Sequence, residues 1–276
     1  IMKKDDENLE LFNNKGKYHF EQLFVVNNKK FIKNCGSYLF DGQNYIYDSS
    51  MIEKQKLLFE LSKKNSKILE IGTYMGHSIL IMLLANPKAE ITSIDNNHLY
   101  AKPSLEYLQK NFPEAKITFI HNDSLKALKN LNEKFDLFHV DGTHRHEIIA
   151  KEFQYILNLK KDDHVKILFD DIVAMPHLKK NILHNLPVTK SFLPNSKQNL
   201  YVEINCNTKL FEQNLKKFKF QNFKDLVKYR MIKLLVRKAI RNGIVRNRTT
   251  VRLWDLSFEK FSICRKLKNL LLEAIY

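Results

Sequence analysis

The segment from Lys67 to Ser78 constrains the fold of this chain more than any other part of the sequence. A short apolar run of β type ends at Gly72, a second glycine follows at Gly76, and an apolar helical pattern begins after Ser78. A strand that turns through glycine into a helix is the opening unit of an alternating α/β fold. Glycine at such a turn lets the backbone come close to a ligand, because no side chain stands in the way. We therefore expect Gly72 and Gly76 to face a bound molecule.

Strand and helix patterns alternate through residues 51–206, which predicts a parallel sheet covered by helices on both faces. Besides the run before Gly72, the predicted strands are Ala89–Asp95, Lys116–His121, Lys134–Asp141, Val165–Asp170 and a closing antiparallel pair, Ser191–Phe192 with Leu200–Ile204. The predicted helices are Met51–Lys63, the segment after Ser78, Pro103–Asn111, Leu125–Leu131, His146–Leu159 and Pro176–Asn185. Ligands of such sheets bind beyond the carboxyl ends of the strands, so residues at those ends are the candidates for a site.

Three regions differ in composition and predict three domains. Residues 1–50 are polar and aromatic with short β-like pieces at Leu23–Val26 and Tyr45–Tyr47, and we expect them to form a cap. Residues 51–206 form the α/β domain. Residues 207–276 carry most of the net charge of +16 and interleave basic with large apolar residues, which predicts a basic helical extension.

Composition excludes several classes of protein. With 7 Gly and 6 Pro and a hydrophobic fraction of 44%, the chain is neither fibrous nor dominated by linkers. No apolar run reaches the roughly 20 residues of a membrane span. Cys35, Cys206 and Cys264 are too few and too widely spaced for a disulfide framework or a cysteine metal site, so we expect a cytoplasmic protein.

The polar residues at the strand ends favour one cofactor. A dinucleotide site needs three glycines to seat a pyrophosphate, and only two are present here. Glu70, before the turn, would repel a pyrophosphate but suits a ligand that carries an ammonium group. Asp95, at the end of the next strand, can accept hydrogen bonds from ribose hydroxyls. These features together predict S-adenosylmethionine.

The motif Leu69–Ser78 resembles the first motif of class I S-adenosylmethionine-dependent methyltransferases, and the Glu-Ile-Gly-Thr within it is closest to the small-molecule O-methyltransferases. The resemblance implies a doubly wound, mostly parallel seven-stranded sheet of the Rossmann-like methyltransferase type. It also implies a ribose-binding Asp95 and an adenine-facing loop that contains Asp123. The cofactor-binding residues expected from the motifs are Glu70, Gly72, Thr73, Tyr74, Gly76, His77, Ser78, Asp95, Asp123 and Ser124.

Three carboxylates that follow neighbouring strands predict a metal site. Asp141, Asp170 and Asp171 would repel one another in one pocket unless a cation joined them, and oxygen ligands suit Mg²⁺ or Mn²⁺. Metal-dependent O-methyltransferases are similar here, and in them the metal lowers the pKa of the acceptor oxygen. Asp141 and His144 are the predicted catalytic residues. His144, three residues after Asp141, is the candidate base that takes the acceptor proton, because the pKa of histidine is close to neutral, and His146 is an equal rival.

The expected acceptor is a hydroxyl of a small molecule, preferably a sugar or nucleotide-linked sugar of polysaccharide biosynthesis. Two alternatives stay open, an RNA-directed methyltransferase that uses the basic tail and a cofactor-binding scaffold without activity. The tail is richer in aliphatic residues than a nucleic-acid arm needs, so nucleic acid is not the expected partner. We expect the tail to pack in a homo-oligomer or against the body, or to meet an anionic acceptor or the inner face of the membrane.

Overall fold

The computed structural model of the chain describes residues 15–32, 36, 38–40, 45–47, 51–143, 145–172, 175–194, 199–207, 209 and 211–219. The helices are α1 (Lys17–Val26), α2 (Ile52–Lys64), α3 (His77–Ala85), α4 (His98–Asn111), α5 (Ser124–Asn130), α6 (His146–Leu159), α7 (Pro176–Asn185) and α8 (211–219). The strands are β1 (Tyr38–Phe40), β2 (Tyr45–Tyr47), β3 (Lys67–Ile71), β4 (Glu90–Asp95), β5 (Lys116–His121), β6 (Leu137–Val140), β7 (His164–Phe169), β8 (Val188–Phe192) and β9 (Leu200–Asn205).

A seven-stranded sheet with the order β5-β4-β3-β6-β7-β9-β8 forms the centre of the fold. The first five strands of this order are parallel, and β9 pairs antiparallel with both β7 and β8. The chain runs outward from β3 to β5 and then returns to place β6 beside β3. The sheet therefore has its switch point between β3 and β6, which is where doubly wound sheets bind ligands. The predicted fold class is confirmed.

Alternate residues of the central strands feed two separate apolar clusters, because successive side chains of a strand point to opposite faces. Ile68 and Leu137 join a cluster with α1, α2, α3 and α4 on one face. Leu69 and Phe138 join a second cluster with α5, α6 and α7 on the other face. We call these the first and second faces of the sheet. Glu70 and His139 have the parity of Ile68 and Leu137, so they belong to the first face.

The sequence placed most elements correctly and was wrong about two of them. Leu23–Val26, predicted as β-like, is the end of helix α1, which packs on α3 and α4 and buries Phe20 and Leu23. Helix α4 begins at His98 and not at Pro103, because the Asn97 side chain caps it by accepting a hydrogen bond from the backbone N–H of Leu99. Tyr45–Tyr47 is a strand as predicted and pairs with β1. The predicted domain boundaries remain predictions.

The described start of the basic extension packs on the α/β body. Phe211 and Phe218 of α8 are both buried in the cluster on the second face. The ring of Phe218 meets that of Phe153 edge to face, with 5.2 Å between the ring centroids. The rest of the extension, from residue 220 onward, lies outside the described residues. In the described part of the chain, none of the helices is long and apolar enough to cross a membrane.

This packing predicts that α8 contributes to the stability of the body. Replacing a buried phenylalanine by alanine removes apolar contacts and leaves a cavity, so Phe218→Ala should lower the free energy of unfolding by about 3 kcal/mol. Lys217→Ala, at an exposed neighbouring position, is the matched control and should change it by less than about 0.5 kcal/mol. Urea unfolding followed by circular dichroism measures both. Equal stability of the two variants would show that α8 does not complete the core.

Candidate functional site

A cavity of about 680 Å³ lies at the carboxyl ends of the parallel strands, and its volume is that of a small-molecule or cofactor site. Most of the predicted site residues line it. They are Gly72, Thr73, Tyr74, His77, Ser78, Asp95, Asp123, Ser124, Asp141, Asp170 and Asp171. Glu70 and Gly76 do not line it, and His144 lies outside the described residues.

The two glycines of the turn are required by packing within the protein. Gly72 and Gly76 have φ values of 92° and 70°, in the left-handed region that favours glycine. A β-carbon on Gly72 would overlap the backbone carbonyl of Asp141, and one on Gly76 would press on the side chain of Leu108. We expected both glycines to make room for a ligand. The close approach at Gly72 is to the end of β6, so this glycine brings the two strand ends together. Gly72 also lines the cavity, and its predicted contact with the cofactor stays a prediction.

The carboxylate of Asp95 holds the glycine turn in place. Its Oδ2 accepts hydrogen bonds from the backbone N–H groups of Thr73 and Tyr74, at 2.8 and 3.0 Å. Its Oδ1 accepts one from the backbone N–H of Asn97 at 2.8 Å. Because a carboxylate oxygen has more than one acceptor site, Asp95 keeps the capacity to accept a ribose hydroxyl at the cavity wall. The residue therefore shapes the turn and can also bind a ligand.

Glu70 lies behind the wall of the cavity and does not line it, although the sequence predicts that it contacts the ligand. Its register partners on β4 and β6 are Ser93 and His139, so three polar side chains form a row across the first face of the sheet. Glu70 is 0% exposed, and its Oε1 accepts hydrogen bonds from Ser78 Oγ and, at 3.0 Å, from His139 Nδ1. The predicted contact of Glu70 with the cofactor stays a prediction. The enclosed carboxylate lies directly behind Ser78, which lines the cavity. It fixes Ser78 at the start of α3, and thereby the helix end that borders the cavity.

Aromatic rings enclose the cavity beside the turn. His77 is 4% exposed and packs edge to face on Phe20, with 5.2 Å between the ring centroids. Burial lowers the pKa of His77 to about 3, so its imidazole is neutral at physiological pH. The Tyr74 ring lies between His77 and Tyr100, and its hydroxyl accepts a hydrogen bond from the backbone N–H of Ile32 at 2.8 Å. These residues offer shape and apolar surface to a ligand.

A buried carboxyl group lies beside the predicted adenine-facing loop. Ser124 Oγ donates a hydrogen bond to Glu152 Oε1 at 2.5 Å, and Glu152 is 0% exposed. Among the described residues, its Oε2 has no hydrogen-bond partner. Burial, with a further contribution from the charge of Asp123, raises the pKa of Glu152 to about 7. Asp123 itself caps α5 by accepting a hydrogen bond from the backbone N–H of Lys126 at 3.2 Å.

The acidic residues after β6 and β7 are joined by a lysine. Lys54 Nζ lies 2.9 Å from Asp141 Oδ2 and 2.9 Å from Asp170 Oδ2, and we call these three residues the Lys54 cluster. Burial acts to lower the pKa of Lys54, but the charges of Asp141 and Asp170 outweigh it and raise the pKa, so the amine stays protonated. The pKa of Asp141 is raised by its burial and by Asp170. The pKa of Asp170 is lowered because Lys54 more than offsets its burial.

The residues present do not fit the divalent metal ion that the sequence predicted. Mg²⁺ and Mn²⁺ need several oxygen ligands directed at one point, whereas the Oδ2 atoms of Asp141 and Asp170 are directed at Lys54. A divalent ion bound to the same oxygens would lie beside the ammonium group, and charges of 2+ and 1+ about 4 Å apart in a protein repel by roughly 8 kcal/mol. In the part of the chain that the structure describes, no group of three or more His, Cys, Asp or Glu side chains is arranged to hold a metal.

Sequence reasoning missed two residues of the site, Lys54 and Glu152. Lys54 lies four residues before Leu58 and seven before Leu61, so it shares the buried stripe of α2. Glu152 lies next to Phe153 on α6, and it is one of the few acidic residues on a helix that is otherwise largely apolar. A charged residue within an apolar stripe was the available signal at Lys54. At Glu152 the sequence offered no comparable sign that the side chain faces a ligand.

The sheet order, the glycine turn and the acidic strand ends define a Rossmann-like cofactor-binding domain. The family model described as a methyltransferase domain matches residues 69–172. The chain is 27% identical over 202 residues to the ribosomal RNA large subunit methyltransferase K/L of Buchnera aphidicola, a match that covers 71% of this chain and 27% of that protein. It is 40% identical over 86 residues to a caffeoyl-CoA O-methyltransferase-like protein of Arabidopsis thaliana, which covers 30% of this chain and 36% of that protein.

The chain thus spans only 27% and 36% of the lengths of these two relatives. Among solved structures, the cofactor-bound protein Rv0187 from MTB is similar with a TM-score of 0.52 and 14% identity, covering 74% of this chain and 96% of that one. This likeness shows a common fold. Residues 69–172 match a methyltransferase domain, and this match confirms the resemblance to class I S-adenosylmethionine-dependent methyltransferases that the sequence predicted.

The close approach of Gly72 to Asp141 predicts a large effect of a single methyl group. Gly72→Ala places a β-carbon against the Asp141 carbonyl in a strained backbone conformation, so it should lower the free energy of unfolding by about 3 kcal/mol and weaken binding of S-adenosylhomocysteine. Gly142→Ala is the matched control, because its β-carbon would come closest to the side chain of Ile71, at 3.1 Å, and would meet backbone atoms only at 3.7 Å or more. Urea unfolding and calorimetric titration measure both effects. A Gly72→Ala protein as stable as Gly142→Ala would contradict the packing argument.

The raised pKa of Glu152 predicts a pH dependence of stability. Between its ordinary pKa of 4.5 and about 7, the folded protein keeps a proton on Glu152 that the unfolded chain releases. The free energy of unfolding should therefore fall as the pH rises through this window, by an amount on the order of 3 kcal/mol. Glu152→Gln cannot ionise and should remove this decline.

The measurement is the urea unfolding free energy at several pH values across that window, for the wild type and for Glu152→Gln. Glu106→Gln, an exposed carboxyl on α4, is the control and should keep the wild-type dependence. If the difference between wild type and Glu152→Gln stayed constant across the window, the raised pKa of Glu152 would be refuted.

Proposed function

We propose that this chain transfers the methyl group of S-adenosylmethionine to a hydroxyl oxygen of a small molecule. The observation that carries the proposal is the division of one cavity into two chemically different halves. One half has Asp95 and the glycine turn, and the other has the Lys54 cluster. The match to the caffeoyl-CoA O-methyltransferase-like protein supports oxygen as the acceptor atom.

The first half suits the cofactor. Asp95 lies at the end of β4, where its carboxylate accepts ribose hydroxyls, and Asp123 and Ser124 follow β5, where we place the adenine. Neutral His77 and Tyr74 enclose the cavity beside the turn. When bound, S-adenosylmethionine supplies a methyl group already activated by its sulfonium. The protein therefore has to orient the acceptor in line with it and accept one proton.

The second half suits the acceptor. Asp141 and Asp170 follow adjacent strands across the switch point from the glycine turn. The raised pKa of Asp141 brings its carboxylate closer to that of a useful proton acceptor. We retain the prediction that His144, three residues further on, is the base that takes the acceptor proton, and we propose in addition that Asp141 can receive this proton. No step in this proposal passes through a metal ion, because the Lys54 cluster does not fit one.

The preferred acceptor is a hydroxyl-rich molecule, a sugar or a nucleotide-linked sugar of polysaccharide biosynthesis. Carboxylate and ammonium groups on the wall offer both acceptors and donors to neighbouring hydroxyls, as at Asp170, Asp171 and Lys54. The basic composition of residues 207–276 also favours an anionic acceptor such as a diphosphate. Release of S-adenosylhomocysteine over a panel of nucleotide sugars, free sugars and catechols tests the acceptor class. Turnover on catechols alone would remove the sugar proposal, and no turnover on any member would count against the function.

A second candidate function is methylation of RNA. Two observations favour it, the match to a ribosomal RNA methyltransferase over 71% of this chain and the basic character of residues 207–276. RNA bound through phosphate contacts should lose affinity steeply as salt concentration rises. Binding of a ribosomal RNA fragment, measured at several salt concentrations and compared with methyl transfer to the same fragment, distinguishes this candidate from a small-molecule acceptor.

The proposed mechanism predicts a selective loss of turnover when Asp141 is changed. Asp141→Asn should reduce turnover of the best acceptor by about 100-fold or more, because general acid–base catalysis contributes on this scale. Its affinity for S-adenosylhomocysteine should stay within about threefold of wild type, since the cofactor half is untouched. Asp162→Asn, at an exposed position outside the cavity, is the control. An equal loss of cofactor affinity and turnover would show that Asp141 acts on binding and not on the proton.

A further inference from the structure

Helix α2 delivers a lysine to the interior of the site. Lys54 is the third residue of α2, and α2 packs along α3 on the first face of the sheet. Leu58 and Leu61 bury the same stripe of the helix and fix its rotation. Lys54 is 8% exposed, and lysine is almost never this buried unless it is paired. Its long side chain therefore ends at a position that the helix and the sheet together determine.

The partners of this lysine come from two adjacent strands. Asp141 continues β6 and Asp170 continues β7, and the backbone N–H of Asp170 donates to the carbonyl of Val140 at 2.9 Å. The ladder of the sheet thus runs past the strand ends and holds the two carboxylates side by side. Lys54 Nζ is 2.9 Å from an oxygen of each. Two carboxylates on neighbouring strands with one cation between them is the arrangement that a bridging metal ion would otherwise stabilise.

Asp171 is held separately from the pair. It has a φ of 46°, rare for a residue other than glycine, and its backbone N–H donates to Asn199 Oδ1 at 3.2 Å. Asn199 is 0% exposed at the start of β9, so this contact anchors the turn after β7 to the antiparallel part of the sheet. Lys54, on helix α2 of the first face, supplies the positive charge that balances Asp141 and Asp170. The turn that carries Asp171 is held by Asn199, beside β9.

We propose that Lys54 is the resident cation of the acceptor half, and that its ammonium group takes the place between Asp141 and Asp170 that a divalent ion would need. The statement that this half of the cavity binds the acceptor rests on the proposed function. The statement that Lys54 occupies the cation position rests only on the contacts within the Lys54 cluster. Lys54 is then a positioning residue, which keeps the two carboxylates together and facing the cavity. It follows that the site works with a fixed charge supplied by the chain, and that removing this charge opens a place for a metal.

Binding of Mn²⁺ followed by electron paramagnetic resonance tests the proposal without any acceptor. The wild type and the control Lys64→Met, at an exposed position on the same helix, should leave the Mn²⁺ signal unchanged. Lys54→Met keeps approximately the length of the side chain and removes its charge. This variant should bind one Mn²⁺ with an affinity about tenfold or more above that of the wild type. Adding Asp141→Asn to Lys54→Met should abolish that gain, because it removes one of the two carboxylates. A merely structural role for Lys54 would produce no new metal site.

Two results would overturn the proposal. The first is Mn²⁺ binding by the wild type that Asp141→Asn abolishes, since it would show that a metal site exists beside Lys54. The second is a folded Lys54→Met protein that gains no Mn²⁺ affinity. If Lys54→Met does not fold, Lys54→Arg keeps a cation and should fold without binding Mn²⁺, and Mn²⁺ binding by that variant would equally refute the proposal. Calorimetric titration with S-adenosylhomocysteine checks that each variant keeps its cofactor half.

These measurements separate this inference from the proposed function. A negative acceptor panel together with a gain of Mn²⁺ affinity in Lys54→Met would refute the function and support the role of Lys54. Turnover on an acceptor together with Asp141-dependent Mn²⁺ binding by the wild type would support the function and refute the role of Lys54.

Discussion

The parallel pairing of β3 with β6 is the contact on which the site depends. The backbone N–H of Asp141 donates to the carbonyl of Ile71 at 2.8 Å, and only glycine at position 72 leaves room for the Asp141 carbonyl. This close contact determines the position of the turn that carries Thr73 and Tyr74. It also determines where the acidic segment that begins at Asp141 leaves β6. The two halves of the cavity therefore share one backbone junction, and neither half can move far without the other.

Behind this junction, a row of polar side chains crosses the first face of the sheet. Ser93, Glu70 and His139 are neighbours in register, and His139 Nε2 lies 3.9 Å from Asp141 Oδ2. Ser78, from α3, donates to Glu70 in the middle of this row. Lys54, from α2, donates to Asp141 beyond the His139 end of the row. A buried polar network costs free energy unless its members satisfy one another, so these contacts hold the helices at defined positions above the sheet. The polar row of Ser93, Glu70 and His139 thus keeps the cavity wall in front of it in a defined shape.

The sequence predicted the sheet and the strand ends because both follow from local patterns. Alternating apolar runs located β3 to β7, and the acidic residues after β4, β6 and β7 indicated where a ligand would bind. The direction of Glu70 could not be read in this way, since it depends on which residues of β4 and β6 become its neighbours. Lys54 was missed for the same reason: its partners lie 87 and 116 residues away, and a lysine on an amphipathic helix is ordinarily solvated. At Leu23–Val26, packing of α1 on α4 overrode a local β preference.

The insertion of Phe218 into the second face has a consequence for the order in which this protein can be completed. Domains fold from their N-terminal side as the chain is made, and the α/β elements up to β9 are finished before α8 is. At that stage the surface against Phe153 still lacks its contact with Phe218. The nascent domain therefore shows an apolar patch to solvent until residue 218 has emerged. Helix α8, at the start of the basic extension, therefore covers this part of the apolar core once it has been synthesised.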